Sequence, residues 1–330
     1  MKEADIRPAE LFEKYLELSA ADALTYFSSA KREPLPCPAC ASRDIRPAFV
    51  KHGFGYVLCG SCYTLYQSPR PSPADFARFY QESPSARYWA CTFFPAVAEA
   101  RQVHLIRPKV QELAQLCQQD QFSPRVFADI GAGAGFFLEE WRRNFPETQT
   151  IALEPNPDLA DQCRSKGLTV MECFLEEAES LKGQADLVTA FEVIEHVHDP
   201  LTFCASLGKL LKPGGRVLLT GLTVDGFDLQ VLWEKSNSIS PPHHINFMSI
   251  KGFESLLCRA GFNNIRIFTP GKLDVDIVRN AAAARAEALA GQGFVQMLLR
   301  RGEETLEAFQ QFLNEHQLSS HCWVWASKSP

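Results

Sequence analysis

Arg125-Val-Phe-Ala-Asp129-Ile-Gly131-Ala-Gly133-Ala-Gly135-Phe136 runs from a short apolar strand into a turn with glycine at every second position. Such a turn reverses the backbone sharply and leaves no Cβ to obstruct a ligand. A helix through Trp141 follows. The same rhythm continues downstream, with strands at Thr150-Ile-Ala-Leu-Glu154, Leu168-Thr-Val-Met171, Ala185-Asp-Leu-Val-Thr-Ala190 and Arg216-Val-Leu-Leu-Thr220. Helical patterns over about 157–166 and 200–211 separate them. Strands alternating with helices at this spacing predict a parallel sheet with both faces covered. After a helix at 250–260, Asn264-Ile-Arg-Ile-Phe268 and His321-Cys-Trp-Val-Trp325 supply two closing strands. The expected fold is α/β, a Rossmann-like seven-stranded, mostly parallel sheet.

Upstream the texture differs. Residues 8–30 carry a helical pattern, with Leu11, Phe12, Tyr15, Leu16 and Leu18 roughly on one face. Pro34, Pro36 and Pro38 then break helix, and Ser68-Pro-Arg-Pro-Ser-Pro73 reads as a stiff connector. Between them lie Cys37-Pro-Ala-Cys40 and Cys59-Gly-Ser-Cys62, a spacing that suits four thiolates on one zinc ion. Four sulfurs close the tetrahedron and leave no position for water, which predicts a structural site in a small zinc ribbon. His52, between the pairs, is then a bystander. The other seven cysteines read as buried small hydrophobes. The expected division is a helical segment at 1–33, the ribbon at 34–73, a helical connector at 74–118 and the α/β domain at 119–330. A helical insertion occupies about 275–318.

The chain has 330 residues, of which 46% are hydrophobic and 22% charged, the balance of an ordinary globular protein. A net charge of −6 gives no general pull toward nucleic acid or anionic membrane. The N-terminus lacks the apolar core of a signal peptide, and no apolar run is long enough to span a bilayer. A cytoplasmic protein without membrane partners is expected. Oligomeric state leaves no mark in the sequence.

Two ligands use such a glycine turn. The dinucleotide fingerprint is G-x-G-x-x-G, whereas Phe136 occupies the place of its third glycine and Gly135 comes one residue early. Glu154, ending the second strand, suits a ribose diol in either case. Taken with Asp129, Gly131, Gly133, Gly135 and Glu154, the segments Phe191-Glu-Val-Ile-Glu-His196 and Leu211-Lys-Pro-Gly-Gly215 make the chain resemble a class I S-adenosylmethionine-dependent methyltransferase. With the cysteine pairs in front, it resembles those with an N-terminal zinc ribbon, many of which act in sugar or polysaccharide pathways. The resemblance implies S-adenosylmethionine as cofactor. It implies that Gly131, Gly133 and Gly135 line its methionine portion and that Glu154 holds the ribose hydroxyls. It further implies that Phe191 and Glu192 border the pocket, and that Cys173 and Phe174 flank the adenine where an Asp is common.

Glu192, Glu195 and His196 fall on one face if a helix begins after the fourth strand. With Pro241-Pro-His243-His244 farther on, they resemble the metal site of small-RNA 2′-O-methyltransferases, which implies a second divalent cation at Glu192, Glu195, His196 and His244. The competing readings are His244 or His243 as a metal-free general base, with Glu195 and His196 beside it, and plain packing. His198 reads as a loop residue. Lys272, Asp274 and Asp276, in Thr269-Pro-Gly-Lys-Leu-Asp-Val-Asp276, would either face a substrate over the sheet or lie on a solvated turn.

The leading expectation is O-methylation of a small hydroxylated acceptor, a sugar or sugar nucleotide. Sugar C-methylation ranks lower, because that family continues into a further C-terminal domain. RNA 2′-O-methylation is the enzymatic alternative, disfavoured by the acidic balance and by only a few basic residues near the ribbon (Arg43, Arg46, Lys51, Arg70). A non-enzymatic zinc-ribbon docking protein is the third reading.

Overall fold

The computed structural model describes residues 2–329. The first long helix, α1 (Ala9–Phe27), buries Tyr15, Ser19, Ala23 and Phe27, a spacing of four that keeps one face inward. A hairpin of β1 (Ile45–Lys51) and β2 (Phe54–Cys59) follows, then β3 (Leu65–Gln67). Helix α2 (Pro73–Glu82) begins where Ser72 and Asp75 cap each other's backbone N–H groups and Pro73 occupies the first turn. Helical turns continue from Pro84 into α3 (Arg107–Gln119).

The main sheet contains β4 (Val126–Ile130), β5 (Gln149–Leu153), β6 (Thr169–Met171), β7 (Ala185–Phe191) and β8 (Leu211–Leu222). These five pair in parallel. Between them run α4 (Phe136–Asn144), α5 (Pro157–Ser165) and α6 (Pro200–Leu210). A two-residue strand, β9 (Asn246–Phe247), precedes α7 (Ile250–Arg259). The sheet closes with β10 (Phe262–Phe268) and β11 (His321–Lys328), both antiparallel to their neighbours. Its spatial order is β10-β11-β8-β7-β4-β5-β6, so the seven-stranded, mostly parallel sheet is as expected. Strand order reverses at β4, and in open α/β sheets the crevice beyond the carboxyl ends at such a point is where ligands bind. Successive residues of β11 explain why both faces are covered: Trp323 and Trp325 pack on one side, Cys322, Val324 and Ala326 on the other.

The cysteine segment does not pack by itself. Its sheet has the order β9-β3-β2-β1, so residues 246–247 supply an edge strand, with Asn246 opposite Tyr66. Cys37, Cys59, Cys62 and Tyr66 share a continuous core with Met248, Phe253 and Leu256.

Between β10 and β11 lie α8 (Asp274–Ala284) and α9 (Glu303–Glu315). Here the Thr269–Asp276 expectation needs correction. Asp274 is buried and accepts the Ser320 N–H at 2.6 Å, while Asp276 accepts the Glu3 N–H at 2.7 Å. Both carboxylates tie segments together, so neither lies on a solvated turn. Among the scattered cysteines, Cys117, Cys163, Cys204 and Cys322 are buried, but Cys91 and Cys258 are exposed. Among the described residues, no helix is long and apolar enough to cross a membrane.

Candidate cofactor and acceptor site

Gly131, Gly133 and Gly135 all adopt left-handed backbone, with φ of 69°, 56° and 74°. A Cβ at Gly131 would meet a Val193 methyl at 3.1 Å, and one at Gly135 would strike Leu168 and Cys163. A Cβ at Gly133 would meet nothing within 4 Å, so this peptide faces open space. Its N–H donates to Glu154 Oε2 at 2.8 Å, and the Asn156 N–H donates to Oε1 at 3.0 Å. Burial raises the Glu154 carboxyl above its ordinary range, against the pull of those two N–H groups. Each carboxylate oxygen keeps a further lone pair. Asp129 is buried and accepts the Thr189 hydroxyl at 2.6 Å; burial pushes it up to about 7. Beyond β6, Cys173 is half-buried and Phe174 exposed. Phe191 packs on Phe137, ring centroids 4.3 Å apart, with Lys109 Nζ 5.2 Å from its own.

No helix forms over 192–196. Glu192 takes φ of 55°, and a tight turn leads to α6 at Pro200. The four-residue metal set therefore divides. Glu192 turns toward β8 and α3, accepting the Thr220 hydroxyl at 2.6 Å with Lys109 Nζ 3.5 Å and His321 Nδ1 3.4 Å away. Burial would raise its carboxyl, but His321, Lys109 and Thr220 prevail and hold it at about 2.

Glu195, His196 and His244 do converge: one ligand atom from each lies within 4.8 Å of the others. Glu195 is buried, and its Oε2 has no hydrogen-bond partner. Burial, reinforced by the charge of Glu192, raises its carboxyl well above the usual range. His196 Nδ1 lies 3.0 Å from the His243 carbonyl, and His244 Nδ1 lies 2.6 Å from the Ser238 carbonyl. A carbonyl only accepts, so His244 Nδ1 carries the proton and its Nε2 keeps the lone pair; His196 does the same when the Tyr80 hydroxyl, 3.1 Å from its Nδ1, donates to the His243 carbonyl. Burial lowers both rings, to about 3 and about 4. His243 is apart from this group. It is buried among Tyr15, Phe79 and Tyr80, with Nε2 2.9 Å from Ser85 Oγ.

The glycine turn and this cluster adjoin. Val193 covers Gly131, and a Cβ at Gly221 on β8 would lie 3.0 Å from Glu195 Oε2. A three-residue step thus joins a ligand cradle to a carboxylate and two imidazole lone pairs.

Residues 97–267, just over half of the chain, match the family described as a methyltransferase domain. The chain belongs to this family. The ubiquinone biosynthesis O-methyltransferase of Methylococcus capsulatus is 29% identical over 131 residues, 38% of this chain and 54% of that protein. The malonyl-[acyl-carrier protein] O-methyltransferase of Hahella chejuensis is 27% identical over 128 residues, 37% of this chain and 45% of that one. The chain therefore spans about half the length of these curated relatives. The plantazolicin methyltransferase BpumL, solved in complex with SAH, shares the fold at 15% identity and a TM-score of 0.50, over 77% of this chain and 94% of that one.

In this methyltransferase-domain protein the four cysteines also converge. Cys37 and Cys62 sulfurs are 3.5 Å apart, Cys40 and Cys59 sulfurs 3.6 Å, and all four lie within 4.8 Å. Zn–S bonds of about 2.3 Å in a tetrahedron require sulfur separations of about 3.8 Å, so the set fits zinc. At Gly60, in the second knuckle, the Asp44 carboxylate occupies the space a Cβ would take.

Several site-building residues carry no motif. Arg70, counted among the few basic residues near the cysteine pairs, is buried and donates to the His198 carbonyl at 2.7 Å and to Asn246 Oδ1 at 2.7 Å. Asn246 Nδ2 donates to the carbonyls of Ile194 and Val197 at 3.2 and 2.8 Å, pinning the 194–197 turn to β9. Tyr80 donates to the His243 carbonyl at 3.2 Å. A Pro next to Arg70 and the Asn between Ile245 and Phe247 were the only local signals, and neither implies a partner far along the chain.

Proposed function

We propose that this protein transfers a methyl group from S-adenosylmethionine to a hydroxyl of a small acceptor, with a sugar or sugar nucleotide as the narrower reading. The observation that carries it is the open face at Gly133 beside Glu154, one short turn from Glu195, His196 and His244. Membership of the methyltransferase-domain family supports the cofactor, and the relatives named as O-methyltransferases support a hydroxyl acceptor. The sugar reading rests on the four-cysteine module in front of the domain.

In this reading the free lone pairs of Glu154 receive the ribose hydroxyls, and Gly131, Gly133 and Gly135 border the methionine portion. Asp129 supports the turn from beneath. Cys173 and Phe174 flank the adenine, while Phe191 and Glu192 close the pocket. Bound S-adenosylmethionine supplies an electrophilic sulfonium methyl. The chain's work is to orient the acceptor, exclude water and remove the hydroxyl proton. His244 Nε2 is unprotonated at neutral pH and suits that last task. His243, packed among aromatic rings, supports the segment.

A second reading of the same three groups is a divalent cation held by Glu195, His196 and His244. Backbone carbonyls that accept from the Nδ1–H are usual outer partners of metal-binding imidazoles, and Glu195 Oε2 lacks any other partner. Mn²⁺, Fe²⁺, Co²⁺ or Zn²⁺ suits such donors. Zinc at Cys37, Cys40, Cys59 and Cys62 is structural in either case. RNA as acceptor loses support because Arg70 is buried, and the open, well-formed turn argues against a docking-only role.

The test is calorimetric titration with S-adenosylhomocysteine. One-to-one binding is expected; folded, zinc-loaded protein that fails to bind would end the methyltransferase reading. Turnover that disappears on chelation while the four-cysteine zinc is retained would select the metal over the base.

A further inference from the structure

A cavity of about 230 Å³ lies between α1, the β1–β2 hairpin tip and the 234–241 segment. Lys51, His52, Lys235 and Arg285 line it, against a single acidic group, Glu234, with Ile239 among the apolar wall residues. The hairpin is shaped to deliver two of these: His52 and Gly53 take left-handed φ of 46° and 77° at its tip. Lys51 is half-buried, and its Nζ donates to the Ser236 carbonyl at 2.7 Å, which leaves two N–H groups to donate. Lys235 likewise spends one N–H, on the Glu287 carbonyl at 3.0 Å. Among the described residues none of Lys51, Lys235 and Arg285 forms an ion pair within 4.0 Å, although the protein as a whole is acidic. Burial and the nearby charge of Arg285 lower Lys51 to about 8, against the opposing charge of Glu234.

We propose that this cavity binds the phosphate or diphosphate group of a small anionic molecule. Lysine ammonium and arginine guanidinium groups converging on a partly enclosed space suit tetrahedral oxyanions, with the Arg fork offering paired donors. The volume is below the usual range for drug-sized ligands and suits a compact phosphorylated group. The 234–241 segment that borders the cavity also supports His244: the Ser238 carbonyl accepts from His244 Nδ1, and the Ser240 carbonyl, in the cavity wall, accepts the N–H groups of His243 and His244. A phosphate held here grips the acceptor remotely from the reacting hydroxyl, and that acceptor role rests on the methyltransferase reading above. The anion site itself does not.

Full-length, zinc-loaded protein titrated with inorganic pyrophosphate at low salt should bind one equivalent saturably. Lys51→Gln and Arg285→Gln should each weaken this at least tenfold and leave S-adenosylhomocysteine affinity unchanged. Arg285 is exposed, so its variant keeps the test open if Lys51→Gln misfolds, and Lys51→Arg should retain binding. Absence of saturable binding by folded protein, or equal affinity in both Gln variants, would overturn the proposal. Pyrophosphate binding without S-adenosylhomocysteine binding would uphold the cavity and remove the methyltransferase reading instead.

Discussion

Tyr56, on the second strand of the cysteine module, donates its hydroxyl to the backbone carbonyl of His244 at 2.6 Å. The module thereby helps set the backbone of a residue that belongs to the candidate acceptor site. Tyr56→Phe leaves that carbonyl without its donor, at a cost of about 1–2 kcal/mol in urea unfolding. Methyl transfer should fall several-fold while S-adenosylhomocysteine affinity holds. Unchanged turnover would mean that the module does not position His244.

Cys59→Ser should release the metal. Loss of a structural zinc removes on the order of 10 kcal/mol of binding energy from a segment with little core of its own. Because β9 pairs with β3, the disturbance should reach residues 243–247. Metal analysis together with hydrogen exchange checks both parts, and a metal-free variant with native exchange at 243–247 would refute the coupling.

Glu154→Ala should weaken S-adenosylhomocysteine binding by about 1.5–3 kcal/mol, the range for hydrogen bonds to a charged group. Calorimetry reads this directly. Unaltered affinity would remove Glu154 from the site.

His244→Ala and His243→Ala should separate. As a general base, His244 contributes roughly 10²–10⁴-fold to turnover, with little effect on cofactor affinity. His243, packed against Tyr15, Phe79 and Tyr80, should instead cost stability. Steady-state rates beside melting curves distinguish the two, and the opposite pattern would exchange their roles.

Asp228 is fully buried, and neither carboxylate oxygen has a hydrogen-bond partner. Burial and the charge of Asp274 push its carboxyl up to about 8. A carboxyl raised on folding holds its proton in the native state after the unfolded chain has lost it. Its contribution is therefore complete below about pH 4 and is lost as pH rises toward about 8, by up to about 1.4 kcal/mol per pH unit. Urea denaturation between pH 5.5 and 7.5 should show wild type losing stability with pH relative to Asp228→Asn. Parallel curves for the two would contradict the buried proton.

The alternation of strands and helices, the glycine turn after β4 and the spacing of the cysteine pairs were all legible in the sequence. Each depends on residues within about twenty positions of one another, and periodicity, turn chemistry and ligand spacing act over that range. Which side chains meet at the site was decided by the tertiary structure. One left-handed residue, Glu192, turns its carboxylate to Thr220 and Lys109 and leaves Glu195 and His196 to His244. Pairing of Asn246 with Tyr66, and the hydrogen bonds from Arg70 and Asn246, bring the 194–198 turn and the His243–His244 segment together. Among those contacts, the hydrogen bond from Arg70 to Asn246 alone joins residues 176 positions apart. Nothing in local propensity encodes them, because a buried donor is specified by the acceptor it meets only once the chain has packed.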